Sequence, residues 1–382
     1  MRILGFGYDT NLLLPEDEAN EGQYRQRRYC DLLGQEKAFI ILGRGLPHQE
    51  RSIADGRIWA ISASAQHKLR QVGLAYLHGI RVSHRFQPDI VEYQDPGLAG
   101  LVAYLTARRL RVPLVGGVFN DFLDNPTWLA RAAPRRLYNV MAKFVLSRSV
   151  RVRCDSLETA CSLNTKGYTQ VRYVPFFVPW LEGFSVSDEV QSDRLRRWDS
   201  DPVILCVARL SEEKNIALLL RAFERVHTSA RRGRLVFVGA GPLKRELERL
   251  AAELGVERWI SWVGAVEYRA LPGYYRQANL LVLPSSSETL ARVLVLAQAS
   301  RLPVITTDTS GSRGVVSNGQ SGYVTPVGDV QAFSEALGRL ICDKAIYRRM
   351  LGSTGAHALE QHGEAMITGE LRGFYEDVLP CA

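Results

Sequence analysis

Two doubly wound α/β domains are what this 382-residue chain predicts, on three observations. Short runs rich in Val, Ile and Leu alternate with amphipathic helical patterns, the arrangement of a parallel sheet covered on both faces. The length suits two hydrophobic cores rather than one. The alternation also breaks once, in YVPFFVPWLEGFSVSDEVQSD, where prolines and a turn to polar residues place a boundary near residues 175–200. We therefore divide the chain into 1–185, 186–360 and a last helical segment, 361–382, for which a return to the first domain is one option.

In the first half, apolar runs predict strands at Arg2–Gly5, Ala38–Leu42, Ile90–Tyr93, Leu114–Val118, Ser149–Cys154 and Val171–Val174. Helical spacing of apolar residues marks Gly22–Leu33, Gln66–Phe86, Leu98–Leu110 and Leu157–Gly167 between several of them. The second half repeats the pattern, with strands at Val203–Val207, Arg234–Val238, Ile260–Val263, Leu280–Leu283, Pro303–Thr306 and Tyr323–Thr325. Its helices are expected at Asn215–His227, Leu243–Leu254, Tyr268–Ala278, Thr289–Ser300, Asp329–Arg339 and Lys344–Gly352, and a last one at Glu364–Val378.

Composition excludes several classes. Apolar residues at 46% and charged residues at 23% are ordinary for a water-soluble fold, and no run nears the roughly 18 apolar residues of a membrane span. MRILGFGYDT has no small-residue cleavage site behind an apolar region and reads as a first strand, so a cytoplasmic location is expected. The six cysteines have no CxxC spacing and the seven histidines no metal-ligand spacing, so reduced thiols and no metal site are expected. The pI is about 9.2, but no nucleic-acid module accompanies it, which argues against a nucleic-acid partner.

Residues 1–180 hold 24 Lys and Arg against 16 Asp and Glu, and so carry the whole net charge of +8. Arg131 to Arg153 contributes seven basic residues and no acidic one, with Leu137, Val140, Met141, Phe144 and Val145 interleaved at helical spacing. Such a helix suits an anionic membrane surface at the inner face of the cell membrane. The plainer reading is a solvated face on a packing helix.

The chemistry-bearing residues cluster at predicted strand ends. Arg209 and Lys214 follow the run Val203–Val207, and Glu288 follows Leu280–Leu283. Ligands of doubly wound sheets bind in the crevice at the carboxyl ends of the strands, and two cations beside a helix N-terminus suit a diphosphate. Two surface charges near a cap would be the plainer account. Gly239 and Gly241, in GAGP, let backbone approach a ligand closely. Gly5 and Gly7 flank the first strand end and have the same potential for a phosphate, while Asp9 caps a turn or faces the site.

The segments VARLSEEKNIALLLRAF, FVGAGPLKRELERLAAELGV, SSSE with LPVITTD, and SGYVTPVGD resemble the nucleotide-sugar domain of retaining GT-B glycosyltransferases, the large family 4. The first half is similar more loosely, through FGYDTNLL, EYQDPGLAGLVAYLTARRLRVPLVGGVFNDF and RYVPFFVP, most of all to bacterial exopolysaccharide glycosyltransferases. The resemblance implies two Rossmann-like domains facing across a cleft that holds the active site. It implies that Arg209 and Lys214 hold the donor diphosphate and that Glu288, first acid of a Glu-x7-Glu signature, meets the donor sugar. Backbone N–H groups of Thr289, Leu290 and Ala291 would face the donor, and Asp121, with Asp95 nearby, would lie on the acceptor side.

Three positions depart from the pattern. The second acid of the signature is Leu296, where the family contacts ribose. Thr289-Leu290-Ala291 replaces a glycine-rich turn, and Phe119, followed by Asn120, stands where a histidine is usual. A hydrogen bond to a charged group is worth about 1.5–3 kcal/mol, so losing the ribose contact weakens binding roughly tenfold or more.

The function expected is a metal-independent, retaining hexosyltransferase with no cofactor beyond its nucleoside diphosphate sugar co-substrate. It would serve a glycan or lipid-linked acceptor in surface polysaccharide synthesis. The rivals are a catalytically impaired relative acting as a binding or scaffold protein, and a nucleotide-sugar epimerase of the same fold.

Overall fold

The computed structural model describes residues 1–17, 20–119, 122–130, 134–288, 291–353 and 362–379. The chain forms two compact units, Met1–Pro179 with Glu364–Ala382, and Trp180–Gly363. The second unit thus starts six residues before the expected division at 185/186. Phe184 explains the difference, because it packs edge-on against Tyr275 with ring centroids 5.1 Å apart.

Unit 1 is built on the strands β1 (Arg2–Gly7), β2 (Glu36–Gly43), β3 (Glu50–Ile53), β4 (Ile58–Ser64), β5 (Ile90–Tyr93), β6 (Leu114–Val118), β7 (Arg151–Cys154) and β8 (Val171–Tyr173). Among the described residues they form one eight-stranded sheet in the order β3-β4-β2-β1-β5-β6-β7-β8. Every pairing is parallel except that of the edge strand β3 with β4. The helices are α1 (Glu21–Leu33), α2 (Lys68–Phe86), α3 (Leu98–Leu110), α4 (Pro126–Ala130), α5 (Pro134–Leu146) and α6 (Leu157–Thr165).

Each long helix begins or ends for a local reason. Asn20 caps α1 by accepting from the Gln23 N–H at 3.2 Å, and Gly34 stops it in the left-handed conformation. Ser156 caps α6 through the Thr159 N–H. Side chains on two sides of the sheet make separate cores. Phe6, Val91 and Val102 belong to one, and Ile3, Tyr29, Ile90 and Val115 to another.

Unit 2 contains the strands β9 (Val203–Val207), β10 (Arg234–Val238), β11 (Ile260–Gly264), β12 (Leu280–Leu283), β13 (Val304–Thr307) and β14 (Gly322–Thr325). Its helices are α7 (Asp188–Ser200), α8 (Ile216–Ala230), α9 (Lys244–Glu253), α10 (Leu271–Gln277), α11 (Arg292–Ala299), α12 (Ser310–Arg313), α13 (Val330–Cys342) and α14 (Lys344–Gly352). All six strands run parallel in the order β11-β10-β9-β12-β13-β14. Counted from β9 this is the 3-2-1-4-5-6 order of a dinucleotide-type fold, with its reversal between β9 and β12. β9, β12 and, after its exposed first residue Arg234, β10 are largely buried apolar runs, as parallel strands covered on both faces must be.

After α14 the chain supplies unit 1 with one more helix, α15 (Glu364–Glu376). Ile367, Leu371 and Phe374 of α15 complete the core around Ile3, Ile90 and Val115. Arg28 of α1 grips Glu364 with both arms of its guanidinium, at 2.8 and 2.5 Å.

The basic stretch from 131 to 153 does not form one charged face. Arg131 lies outside the described residues. Lys143 pairs with Asp124 at 2.8 Å and Arg151 with Asp377 at 3.4 Å. Arg153 is buried and donates to the carbonyls of Val174 and Pro175, so it cannot present its charge to a membrane. Leu137 and Val140 of α5 are nonetheless exposed.

Candidate active site

The strand-order reversal in unit 2 opens into a pocket of about 400 Å³ beyond the ends of β9 and β12. Arg209, Lys214 and Glu288 all line it, together with Gly239, Ala291 and Arg292. Residues 74 positions apart in the chain meet there, since the Lys214 ammonium donates directly to Glu288 Oε1. The Ser285 hydroxyl adds a second donor to the same oxygen at 2.8 Å. Both members of the ion pair are largely buried, with side chains 20% and 12% exposed. In this setting each charge depends on the other for its solvation.

Local geometry puts Lys214 in place. Residues Glu212–Lys214 make one 3-10 turn, and Asn215 closes it in the left-handed region, φ +46°, before α8 begins. Asparagine tolerates that conformation better than most residues. Arg209 stays mostly exposed and is steadied by Glu213, which accepts from its guanidinium at 2.6 Å.

Glu213 is a site residue that sequence reasoning treats only as a first-turn acid. The Ser211 hydroxyl, ahead of the Arg209 charge, holds its carboxyl down to about 2. Its backbone carbonyl accepts from the Ser286 N–H at 2.8 Å and from the Ser286 hydroxyl at 3.1 Å. Glu213 therefore ties the loop after β9 to the loop after β12. A third loop joins through the Glu288 carbonyl, which accepts from Gly311 N–H at 2.9 Å and Ser310 Oγ at 2.6 Å.

The glycines of GAGP also allow two loops to meet. A Cβ on Gly239, whose φ is +141°, would lie 1.9 Å from the Ala208 carbonyl oxygen. One on Gly241 would lie 2.3 Å from that of Leu210. Between them Leu210 N–H donates to the Ala240 carbonyl at 3.0 Å, and Gly239 N–H is spent on Gly264 at 2.8 Å. The small residues let the loops after β9 and β10 lie backbone against backbone, which fixes where Arg209 emerges.

The remaining expected residues are dispersed. Ala291 is buried at the start of α11 and lines the pocket, whereas Thr289 and Leu290 lie outside the described residues. Leu296 sits within α11, 2% exposed, and does not line the pocket. In unit 1, the space over Gly5 is taken by the Phe39 ring and that over Gly7 by the Gln94 side chain. Asp121 and Asn120 lie outside the described residues. Asp95 receives the Tyr138 hydroxyl and the Gly97 N–H, and burial raises its carboxyl above the usual range. Asp9 accepts from the Asn11 N–H at 3.2 Å.

Known proteins resemble the chain along nearly its whole length. Residues 187–357 match the family model "Glycosyl transferases group 1", and residues 7–176 match the "Glycosyl transferase 4-like domain". The alpha-D-kanosaminyltransferase of Streptomyces kanamyceticus is 24% identical over 300 residues, 74% of this chain and 75% of that protein. A GDP-mannose-dependent alpha-mannosyltransferase of Mycolicibacterium smegmatis is 27% identical over 347 residues, 88% of this chain and 86% of its own. Among solved structures, Anabaena Alr3699/HepE in complex with UDP superimposes with a TM-score of 0.77 at 16% identity, covering 99% of this chain and 100% of that one. The sucrose-phosphate synthase of Thermosynechococcus elongatus does so at 0.80 and 16%, covering 99% of each. The structural likenesses establish the paired Rossmann-like, GT-B architecture.

Proposed function

We propose that the chain is a group 1 glycosyltransferase, a metal-independent, retaining enzyme acting on a nucleoside diphosphate sugar. In this reading a hexosyl group passes to a glycan or lipid-linked acceptor in surface polysaccharide synthesis. One observation carries it: Arg209, Lys214 and Glu288 line a single pocket at the strand-order reversal of unit 2. The structural neighbours lend support, since HepE has been captured with UDP and with UDP-glucose, and a curated relative uses GDP-mannose.

The mechanism follows from where charge develops. As the glycosidic bond to the diphosphate breaks, negative charge grows on the leaving phosphate oxygens. The Lys214 ammonium, released from Glu288, and the exposed Arg209 guanidinium are donors for that charge. Donors of this kind are worth about 10²–10³ in rate each. Glu288, freed in the same exchange, is placed to accept from hydroxyls of the transferred sugar. The Ser285 hydroxyl stays on Glu288 throughout, and we assign Glu288 to sugar binding rather than covalent attack, with departure and attack on the same face.

The same reading includes association with an anionic membrane surface. It rests on exposed Leu137 and Val140 beside Arg136 on α5. Vesicle binding left unchanged by glutamates at Arg135, Arg136 and Lys143 would remove it.

The function is tested by incubating the protein with UDP-, GDP-, ADP- and TDP-sugars, with and without glycan acceptors. Acceptor-dependent release of one nucleoside diphosphate is the expected outcome. Binding of none of them would favour a scaffold role, and an epimerised sugar in the donor-only arm would favour an epimerase.

A further inference from the structure

Unit 1 contains charged residues where its fold needs none. In the β1–β2 and β5–β7 registers, Lys37, Gly5, Glu92, Gly117 and Arg153 fall on the face of the sheet that α1 and α15 cover. The neighbours on that face, Ile3, Ile90 and Val115, form an ordinary apolar core. Lys37 and Arg153 are 2% and 5% exposed, yet among the described residues no carboxylate lies within ion-pair distance of either.

The charges surround a pocket of about 300 Å³, at the small end of the range for small-molecule sites. Lys37 Nζ has the Gln26 side-chain oxygen at 3.1 Å and the Tyr29 ring at 5.1 Å. Arg153 is pinned by two backbone carbonyls, at 2.7 and 2.6 Å, with the Phe176 ring 4.4 Å from its guanidinium carbon. Arg25 lies over the same ring at 4.8 Å. Arg25 is paired with Glu21 at 3.5 Å, whereas Lys37 and Arg153 have in the lining only two carboxylates beside them: Glu92, which accepts from Tyr375 at 3.1 Å, and Asp9, turned to its own loop. The Tyr29 hydroxyl and Arg25 Nε are buried and have no hydrogen-bond partner among the described residues. Gly7 and Gly117 let Gln94 and Phe119 lie across the sheet as part of the lining, since a Cβ at either glycine would stand 2.0 or 2.2 Å from them.

Unpaired buried cations are costly in a protein interior unless an anion meets them. The remaining lining is aromatic faces and unsatisfied donors, which suit a ring bearing hydroxyls. We propose that this pocket binds an oxyanion carried on a monosaccharide-sized group, a sugar carboxylate or a sugar phosphate. Resting on the glycosyltransferase reading, we assign that group to the acceptor, which makes the acceptor an acidic glycan or a phosphorylated sugar rather than a neutral one.

The test is calorimetric titration of the full chain with glucuronate, glucose 6-phosphate, inorganic phosphate and glucose, and separately with UDP. At least one of the two sugar anions should bind, and whichever is preferred identifies the source of the charge. Glucose should not bind, and inorganic phosphate should bind at least tenfold more weakly than the preferred sugar anion. Lys37→Met should weaken that anion at least tenfold, keep UDP affinity, and leave the melting temperature unchanged or higher. Glu92→Gln, which removes a repelling carboxylate while keeping the Tyr375 acceptor, should tighten it severalfold, and this arm decides should Lys37→Met not fold.

Glucose binding as well as glucuronate, or phosphate as well as glucose 6-phosphate, would overturn the proposal. So would a Lys37→Met protein that melts lower yet binds the anion normally, because Lys37 would then be a core brace. UDP binding without any sugar-anion binding removes this pocket and leaves the donor site standing. Sugar-anion binding without UDP binding does the reverse.

Discussion

Replacing Lys214 with methionine separates two accounts of the pair at the heart of unit 2. As a structural brace, Lys214 would matter only to stability; as a donor-binding group, it would matter to affinity as well. Methionine keeps most of the stem and removes the charge, leaving Glu288 with the Ser285 hydroxyl at 2.8 Å. Removing one partner of a fully buried pair costs about 3–5 kcal/mol. With side chains 20% and 12% exposed, and one hydrogen bond retained, about 2–3 kcal/mol is expected. For a unit of this size that is a fall of roughly 5–10 °C in melting temperature. Adding Glu288→Gln removes the orphaned charge and should recover most of the loss, to within about 1 kcal/mol of the parent.

Affinity behaves differently in the two accounts. Losing a charge-assisted contact to the diphosphate costs about 1.5–3 kcal/mol, or roughly ten- to a hundredfold in UDP affinity, and the double variant should not recover it. Thermal melts and UDP titrations of the parent, Lys214→Met and Lys214→Met/Glu288→Gln give both numbers. A folded Lys214→Met protein that binds UDP within twofold of the parent would refute the donor role.

Gly239→Ala should cost more than about 3 kcal/mol, since the new Cβ meets the Ala208 carbonyl oxygen at 1.9 Å in a strained backbone region. A variant that melts normally but loses only UDP would make ligand approach, rather than loop packing, the glycine's purpose. Asp155 is 4% exposed, its Oδ1 has no partner among the described residues, and burial, only partly opposed by Arg153, pushes its carboxyl up to about 7. The folded value lies above the unfolded one, so its contribution is complete below about pH 4 and is lost as pH rises through 7. Asp155→Asn should therefore stabilise the protein by up to roughly 3–4 kcal/mol at pH 8 and barely at pH 4; equal gains at both, by denaturant unfolding, would contradict this. Turnover should be indifferent to a chelator, and a tenfold loss restored by Mg²⁺ would contradict the cation-only account of the leaving group.

Legibility in the sequence tracked how each element meets water. Val203–Val207, Arg234–Val238 and Leu280–Leu283 are readable to the residue, because a buried parallel strand is an unbroken apolar run ending at a turn. The edge strand β3 is not legible, since ERSI is exposed and polar with nothing to alternate against. Helix α7 lies in the stretch that reads as a linker, and it buries only Gln191, Arg194 and Trp198. Arg194 looks like a surface charge but is enclosed by the carbonyls of Ser300 and Tyr275, at 2.6 and 2.8 Å.

The convergence of Arg209, Lys214 and Glu288 was visible because packing alone seldom sets a charge at the mouth of a buried parallel strand. Glu213 was hidden by its resemblance to a helix-start acid, and its tie to Ser286 depends on a loop 73 residues away. Lys37 and Arg153 did leave a signal, a charge set among the apolar residues of KAFIIL and VRC. Reading it requires knowing that α1 and α15 close over that face of the sheet.

The contribution of α15 to unit 1 bears on how the protein is made. A ribosome releases Met1–Pro179 long before Ile367, Leu371 and Phe374 exist to cover Ile3, Ile90 and Val115. At roughly 5–20 residues per second, the nascent first unit waits on the order of ten to forty seconds with an apolar flank open. Over that interval unit 2, contiguous in the chain, can mature by itself. Helix α15, translated after unit 2, is then what seals the unit that was begun first, and chaperone dependence should concentrate on that exposed flank.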